Sequence, residues 1–338
     1  MFRWLPGLYY DLMLSLAGVL VGVVILVVGG TMLVRGASEV AASLGVTPMV
    51  VGLTIVAFGT SAPELVVNVT AVLDGQTGLA FGNVAGSNIS NLALVLGVAA
   101  LMQPITIRGD VVRRELPLLL LATTVMTVMA LDGPLTGRPA EMDRVDSIIL
   151  LVLFCVFIYV TVLDFVRVRG KDPLLKDISH SATVVIPEKG RHQWWLLLAG
   201  GLLLAFGGKL TVSNAVVMAA WLGVSPAVIW LFVVAVGTSM PELATSAIAA
   251  WRNESDLALG NVIGSNIFDS LVVLPASGVI RSIPVPAGGA SDLVFSWVMA
   301  GALIPLFLFG NAKLGRITGV IFVLSYFLYA AWRVRYPG

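Results

Sequence analysis

The chain is 338 residues long and 58% hydrophobic, and only 12% of it is charged, where a soluble domain carries about 25% charged residues. With a mean hydropathy of +0.98 and several apolar runs of the roughly 20 residues that cross a bilayer, it reads as an all-α polytopic membrane protein, and a soluble domain is excluded. A net charge of +1 without a basic patch argues against nucleic acid as a partner, and a single cysteine, Cys155, leaves no disulfide framework or thiolate metal cluster.

In chain order, the first apolar run covers residues 12–33. No cleavage site of small residues follows it, so it reads as a retained helix. The second run, residues 42–73, is too long for a simple crossing. Pro63 removes a backbone donor and crowds the preceding turn, which predicts a broken helix near Gly59–Pro63. Asp74-Gly75-Gln76 makes a turn, and a third span covers residues 78–101. Spans at 116–131 and 147–166 follow, the fourth stopped by Asp132-Gly133-Pro134. The polar stretch 167–192 reads as a linker. His180 and His192 there read as solvated side chains rather than metal ligands. Five further spans follow at 194–212, 226–251, 257–280, 291–309 and 315–332. The chain thus divides into a first five-helix repeat (1–166), a linker (167–192) and a second five-helix repeat (193–338).

The two halves are a duplication. Gly59-Thr60-Ser61-Ala62-Pro63-Glu64-Leu65 returns as Gly237-Thr238-Ser239-Met240-Pro241-Glu242-Leu243, 178 residues on. Gly82-Asn83-Val84-Ala85-Gly86-Ser87-Asn88-Ile89-Ser90-Asn91 returns as Gly260-Asn261-Val262-Ile263-Gly264-Ser265-Asn266-Ile267-Phe268-Asp269 in the same frame. An odd number of spans per copy turns the second copy upside down, so the copies meet as inverted-topology repeats, the plan of many secondary transporters. Lys and Arg divide 13 to 7 between the two faces, with Lys209 counted on the poorer one. The richer face is expected to be cytoplasmic, with the linker, and both termini outside.

Glu64 and Glu242 stand deep in apolar sequence, and an ionisable residue there is by default a functional one. Pro63 and Pro241 free backbone carbonyls beside Thr60, Ser61, Thr238 and Ser239, irregular backbone that membrane proteins keep only where it lines protein or a water-filled cavity. Ser87 and Asn91, like Ser265 and Asp269, are one turn apart and share a face. Carboxylate, hydroxyl and carbonyl oxygens suit a hard cation. With no cluster of Cys or His at depth, the residues argue against a soft-metal site. The glycines of the second motif read as packing residues, and Asn83, Asn88, Asn261 and Asn266 as ties between helices. Three carboxylates, Glu64, Glu242 and Asp269, repel one another until cations offset them. Competing cation loads on one set of oxygens are the basis for exchange. No His-Glu-x-x-His, Gly-x-Gly-x-x-Gly or Ser–base pairing supports an enzyme.

The duplicated Gly-Thr-Ser-x-Pro-Glu-Leu and Gly-Asn-x-x-Gly-Ser-Asn-Ile motifs closely resemble the alpha repeats of the calcium/cation antiporter superfamily, and the chain resembles its prokaryotic sodium/calcium exchangers over almost its full length. The resemblance implies sodium/calcium antiport by alternating access in ten helices, with helices 2 and 7 broken, in the cytoplasmic membrane. It implies that Glu64 and Glu242 are central calcium ligands, with Thr60, Ser61, Ser87 and Asn91 from one repeat and Thr238, Ser239, Ser265 and Asp269 from the other. Carbonyls of Ala57 and Ala235 then fall at flanking sodium sites, and helices 1 and 6 slide against the rest. Calcium and sodium are transported, and no cofactor is implied. A monomer can suffice, and a homo-oligomer is equally compatible. The alternatives are a calcium/proton antiporter, a potassium-dependent sodium/calcium exchanger and, last, a cation channel. Four positions depart from the pattern. Trp230 and Phe232 replace small residues, Pro275 stands for the Gly matching Gly97, and Asn68 stands where the second repeat has Ser246.

Overall fold

The computed structural model describes residues 5–106, 109–133, 137, 139–171, 192–221, 235–309 and 313–336. Its helices are α1 (Leu5–Leu44), α2 (Pro48–Leu73), α3 (Thr77–Met102), α4 (Gly109–Ala130) and α5 (Arg144–Lys171). The second half repeats them as α6 (His192–Trp221), α7 (Ala235–Thr238 and Met240–Trp251), α8 (Ser255–Ile280), α9 (Gly289–Phe309) and α10 (Arg316–Arg335). Among the described residues eight helices are long and apolar enough to cross a membrane.

Chain chemistry sets the helix ends. Past α1, Gly45 takes φ +67. Val46 N then donates to Ala41 O at 3.0 Å and Gly45 N to Ala42 O at 3.3 Å, a pairing that satisfies the last carbonyls of the helix. This turn divides the overlong second run expected at 42–73. Asn253 (φ 62) closes α7 as Gly75 (φ 78), its repeat mate, closes α2. Asparagine is the side chain that best tolerates this left-handed conformation.

Several expectations shift. Helix α2 is not broken at Pro63 but runs on through it. The irregularity lies upstream, in a wide π-type turn at Gly52–Val56. Helix α7 is interrupted at Ser239, between its two segments. Wide turns recur in α3 at Ser90–Val95 and in α8 at Asp269–Val273. Pro275 follows the second of these. Because α3 has the same wide turn without a proline, Pro275 is not its cause. Helices α5 and α6 outrun the expected spans, so Arg167–Lys171 belong to α5 rather than the linker, and Lys209 lies within α6 rather than at its outer end. The rest of the linker (172–191, with His180), Trp230 and Phe232 lie outside the described residues.

The repeats interlock. Helix α10 of the second half packs on α3 of the first, and α5 of the first packs on α8 of the second. Two short antiparallel ladders mark opposite faces. Ile105–Thr106 pairs with Lys313–Leu314, and Glu141–Met142 pairs with Ile283–Pro284. Each joins the end of one repeat's third helix to the other repeat's last hairpin. Helices α3 and α8 are buried almost throughout and form the centre. Helices α1 and α6 pack against each other along one side. A Cβ at Gly29 would lie 3.0 Å from Gly200 O, and one at Gly22 would lie 3.0 Å from Gly207 O, so their backbones touch along an antiparallel glycine seam.

Candidate functional site

The wide turns and the proline-bearing helices converge at the centre. Glu64, Glu242, Asp269, Asn91, Thr60, Ser61, Ser87, Ser239 and Ser265 are all buried, as is Ala57. Thr238 is half-buried. Ala235 opens the described part of α7. The structure therefore brings together the polar residues that the two motifs singled out, from α2, α3, α7 and α8.

The hydrogen bonds run both within a repeat and across the repeat boundary. Ser87 Oγ donates to Glu64 Oε1 at 2.6 Å, and Ser61 Oγ donates to Glu242 Oε1 at 3.0 Å. Ser239 Oγ reaches Ser87 Oγ at 3.3 Å, extending the first chain. Thr60 Oγ1 lies 3.2 Å from Ala57 O, 3.2 Å from Asn261 Oδ1 and 3.5 Å from Ser265 Oγ. Thr238 Oγ1 donates to Asn83 Oδ1 at 3.2 Å.

Three of the four asparagines behave as ties between helices, and Asn266 bonds only within its own helix. Asn83 Nδ2 donates to Asn68 Oδ1 at 2.7 Å, and Asn261 Nδ2 to Ser246 Oγ at 2.9 Å. Asn68 therefore does the work of its repeat mate Ser246. Asn88 Nδ2 holds Ser270 Oγ at 3.1 Å, and Asn266 Nδ2 returns to Val262 O at 2.8 Å. Among the second-motif glycines, Gly260 and Gly264 let α8 lie on α2. A Cβ at Gly264 would sit 2.6 Å from Leu53 O.

A set of buried polar atoms is left over, all acceptors except Asn91 Nδ2. Glu64 Oε2, Glu242 Oε2, both Asp269 carboxylate oxygens and both polar atoms of Asn91 are buried without a hydrogen-bond partner among the described residues. The three carboxyl groups interact with one another. Buried acceptors are normally satisfied, and unpaired buried carboxylates are among the most costly groups a protein can hold. No group of three acidic, His or Cys side chains is gathered tightly enough to hold a metal alone among the described residues, so hydroxyl, amide and carbonyl oxygens must complete any cation shell. Thr245 Oγ1, one turn beyond Glu242, and Ser90 Oγ are further buried, unpartnered oxygens. Sequence reading passed over both. For Thr245 the signal is a hydroxyl at helical spacing from a buried acid.

The two sides of the site differ. On one, α1 closes on α7. A Cβ at Gly30 would meet the Ile248 side chain at 2.6 Å and Ala244 at 3.5 Å. Arg252 donates to Thr31 O at 3.4 Å, and Ser38 bonds Glu254. On the other, α6 stands off α2 across a cavity of 910 Å³ whose wall includes Gly59, Pro63, Val66, Lys209, Thr238 and Pro241.

Interlocked inverted repeats, a buried oxygen-rich centre and one-sided closure define a multi-pass secondary transporter. The chain belongs to the sodium/calcium exchanger protein family, which matches residues 14–163 and 192–335. It is 37% identical over 243 residues to the putative antiporter CaxA of Alkalimonas amylolytica, covering 70% of this chain and 73% of that one. It is 36% identical over 192 residues to the inner membrane protein YrbG of Escherichia coli (strain K12), covering 56% of each. Its fold matches the sodium–calcium exchanger NCX_Mj, soaked with 2.5 mM Na+ and 0.1 mM Ca2+, with a TM-score of 0.78 and 29% identity over 94% of this chain and 98% of that one. The protein is a secondary active antiporter that exchanges sodium for calcium by alternating access, not an enzyme, and the two ions are its substrates.

Proposed function

We propose that the exchanged ions are held at mid-membrane by Glu64, Glu242 and Asp269, with oxygens of Asn91, Thr60, Ser61, Ser87, Thr238, Ser239 and Ser265. Carbonyls of Ala57 and Ala235 serve flanking sodium positions. The carrying observation is the set of orphaned carboxylate oxygens, Glu64 Oε2, Glu242 Oε2 and Asp269 Oδ1 and Oδ2, buried together at the repeat interface. A calcium ion would offset their charge, being hard, oxygen-seeking and tolerant of irregular shells of six to eight ligands that hydroxyl, amide and carbonyl oxygens help to complete. Sodium ions would satisfy them in turn. The serine hydroxyls that now donate to Glu64 and Glu242 can rotate and present lone pairs to a cation instead.

Each half supplies part of this shell, so residues 1–166 and 193–338 act as two repeats of one unit rather than as independent domains. For orientation, Lys209 lies within α6, so its removal from the 13 to 7 division leaves the same face the richer one. The face of the Ile105–Thr106 ladder is then cytoplasmic, with the linker 167–192. The termini lie outside, in a prokaryotic inner membrane like that of YrbG.

Isotope-labelled calcium uptake into sodium-loaded proteoliposomes tests the coupling. Uptake should require the outward sodium gradient and persist without potassium and with the pH gradient collapsed. Uptake that needed a proton gradient or potassium would replace sodium coupling by one of the alternatives.

A further inference from the structure

Among the described residues, Lys209 is the one charged side chain on the cavity wall beside the site. It is exposed, within the apolar stretch His192–Met218 of α6. It lies 17 residues from His192 and 9 from Met218, the ends of that stretch, about 25 and 14 Å along the helix. The neighbouring Gly207 meets Gly22, the eleventh residue of the span Leu12–Leu44 of α1.

Its surroundings are those of the ion site. A Cβ at the preceding Gly208 would touch Pro241 at 3.6 Å and lie 3.9 Å from Gly237 O. The cavity that Lys209 enters is walled by Gly59, Pro63, Gly237, Thr238 and Pro241, the motif residues of both repeats. Among the described residues no ion pair holds the ammonium. The duplication does not require it either. Its repeat mate is Thr31, whose hydroxyl only returns to Val27 O at 2.7 Å. A charge at this depth is expensive and marks an ion path by default.

We propose that Lys209 sets the calcium affinity of the site, as a fixed positive charge that α6 carries to its edge. Resting on the site reading above, it opposes the bound cation electrostatically when α6 stands as seen here. Repulsion scales with the product of the charges, so a bound divalent ion feels it at double strength. Lys209 thereby lowers calcium affinity and promotes calcium release.

The test uses full-length protein in proteoliposomes, with Cys155→Ala as parent and Lys209→Cys added. Half-saturating calcium for sodium-driven uptake is measured before and after reaction with trimethylammonium-bearing, neutral and sulfonate-bearing methanethiosulfonates. Lys209→Cys should lower it about fivefold. The trimethylammonium reagent should return it to the parent value, and the neutral reagent should leave it low. Equal effects of all three reagents, failure of the thiol to react, or a cysteine variant equal to the parent would overturn the proposal. Lys209→Arg and Lys209→Met give the same reading without chemistry, the first keeping parental affinity and the second tightening it. Calcium uptake by the parent tests the site itself, and the contrast between charged and neutral variants tests Lys209 alone.

Discussion

The Thr60 hydroxyl meets Asn261 Oδ1 at 3.2 Å across the repeat boundary, and its repeat mate Thr238 meets Asn83 Oδ1 at the same distance. Each asparagine is anchored in turn, Asn83 on Asn68 and Asn261 on Ser246. Asn83→Ala or Asn261→Ala strands buried partners on both sides and should cost about 1–3 kcal/mol. The loss should appear as a lower melting midpoint in detergent together with slower exchange. Asn68→Ser installs the arrangement already present at Ser246. It should cost under about 1 kcal/mol and retain exchange, and a large loss would show that the two anchors are not equivalent.

Gly59 and Gly237 occupy the same place in the motif but not in the structure. A Cβ at Gly237 would strike Val212, whose Cγ1 would be 2.9 Å away, whereas a Cβ at Gly59 meets nothing within 4 Å. Gly237→Ala should therefore destabilise by about 1–3 kcal/mol through overpacking. Gly59→Ala, inside a helix, should stabilise by about 0.5–1 kcal/mol. In the opposite state of the cycle, Val34, the repeat mate of Val212, should close on Gly59. The stabilised Gly59→Ala protein should then exchange more slowly. Melting curves and turnover on the same preparation check both halves of the expectation.

Asp292 provides a control remote from the ions. It accepts from Arg333 Nε at 2.9 Å and Nη2 at 3.1 Å, and from Tyr329 Oη at 2.6 Å. Tyr329 also stacks on Phe295 at 4.0 Å. Asp292→Asn weakens this α9–α10 clamp and should cost about 1–3 kcal/mol. Exchange per folded molecule should be unchanged. A loss of exchange without a loss of stability would tie the clamp to transport.

Much of this architecture was readable before any coordinates. The 178-residue frame carries the repeat, and the depth of Glu64 and Glu242 in apolar sequence marks the site. What escaped has physical causes. Pro63 announces a break, yet α2 runs on through it, and the wide turn at Gly52–Val56 lies upstream of Gly59, the residue whose carbonyl the proline leaves without its helical donor. Ser213 and Asn214 end the most apolar part of α6 without stopping the helix, so Lys209 read as lying near the outer end of a span ending at residue 212, although α6 continues to Trp221. The unequal surroundings of Gly59 and Gly237 could not be read, because a duplicated sequence is symmetric and a conformational state is not. The hydrogen bonds of Ser61 and Ser87 are hidden for the same reason. Ser61 crosses to the other repeat's glutamate, and Ser87 stays with its own.

The central claim, that acidic side chains from both halves share one cation, is tested most directly by Glu64→Gln with Glu242→Gln. Each side chain keeps its size and loses its charge. Calcium uptake into sodium-loaded proteoliposomes should fall to the level of protein-free vesicles in each single variant and in the double variant, while the melting transition persists. Sodium-driven calcium uptake by a folded double variant would contradict the account.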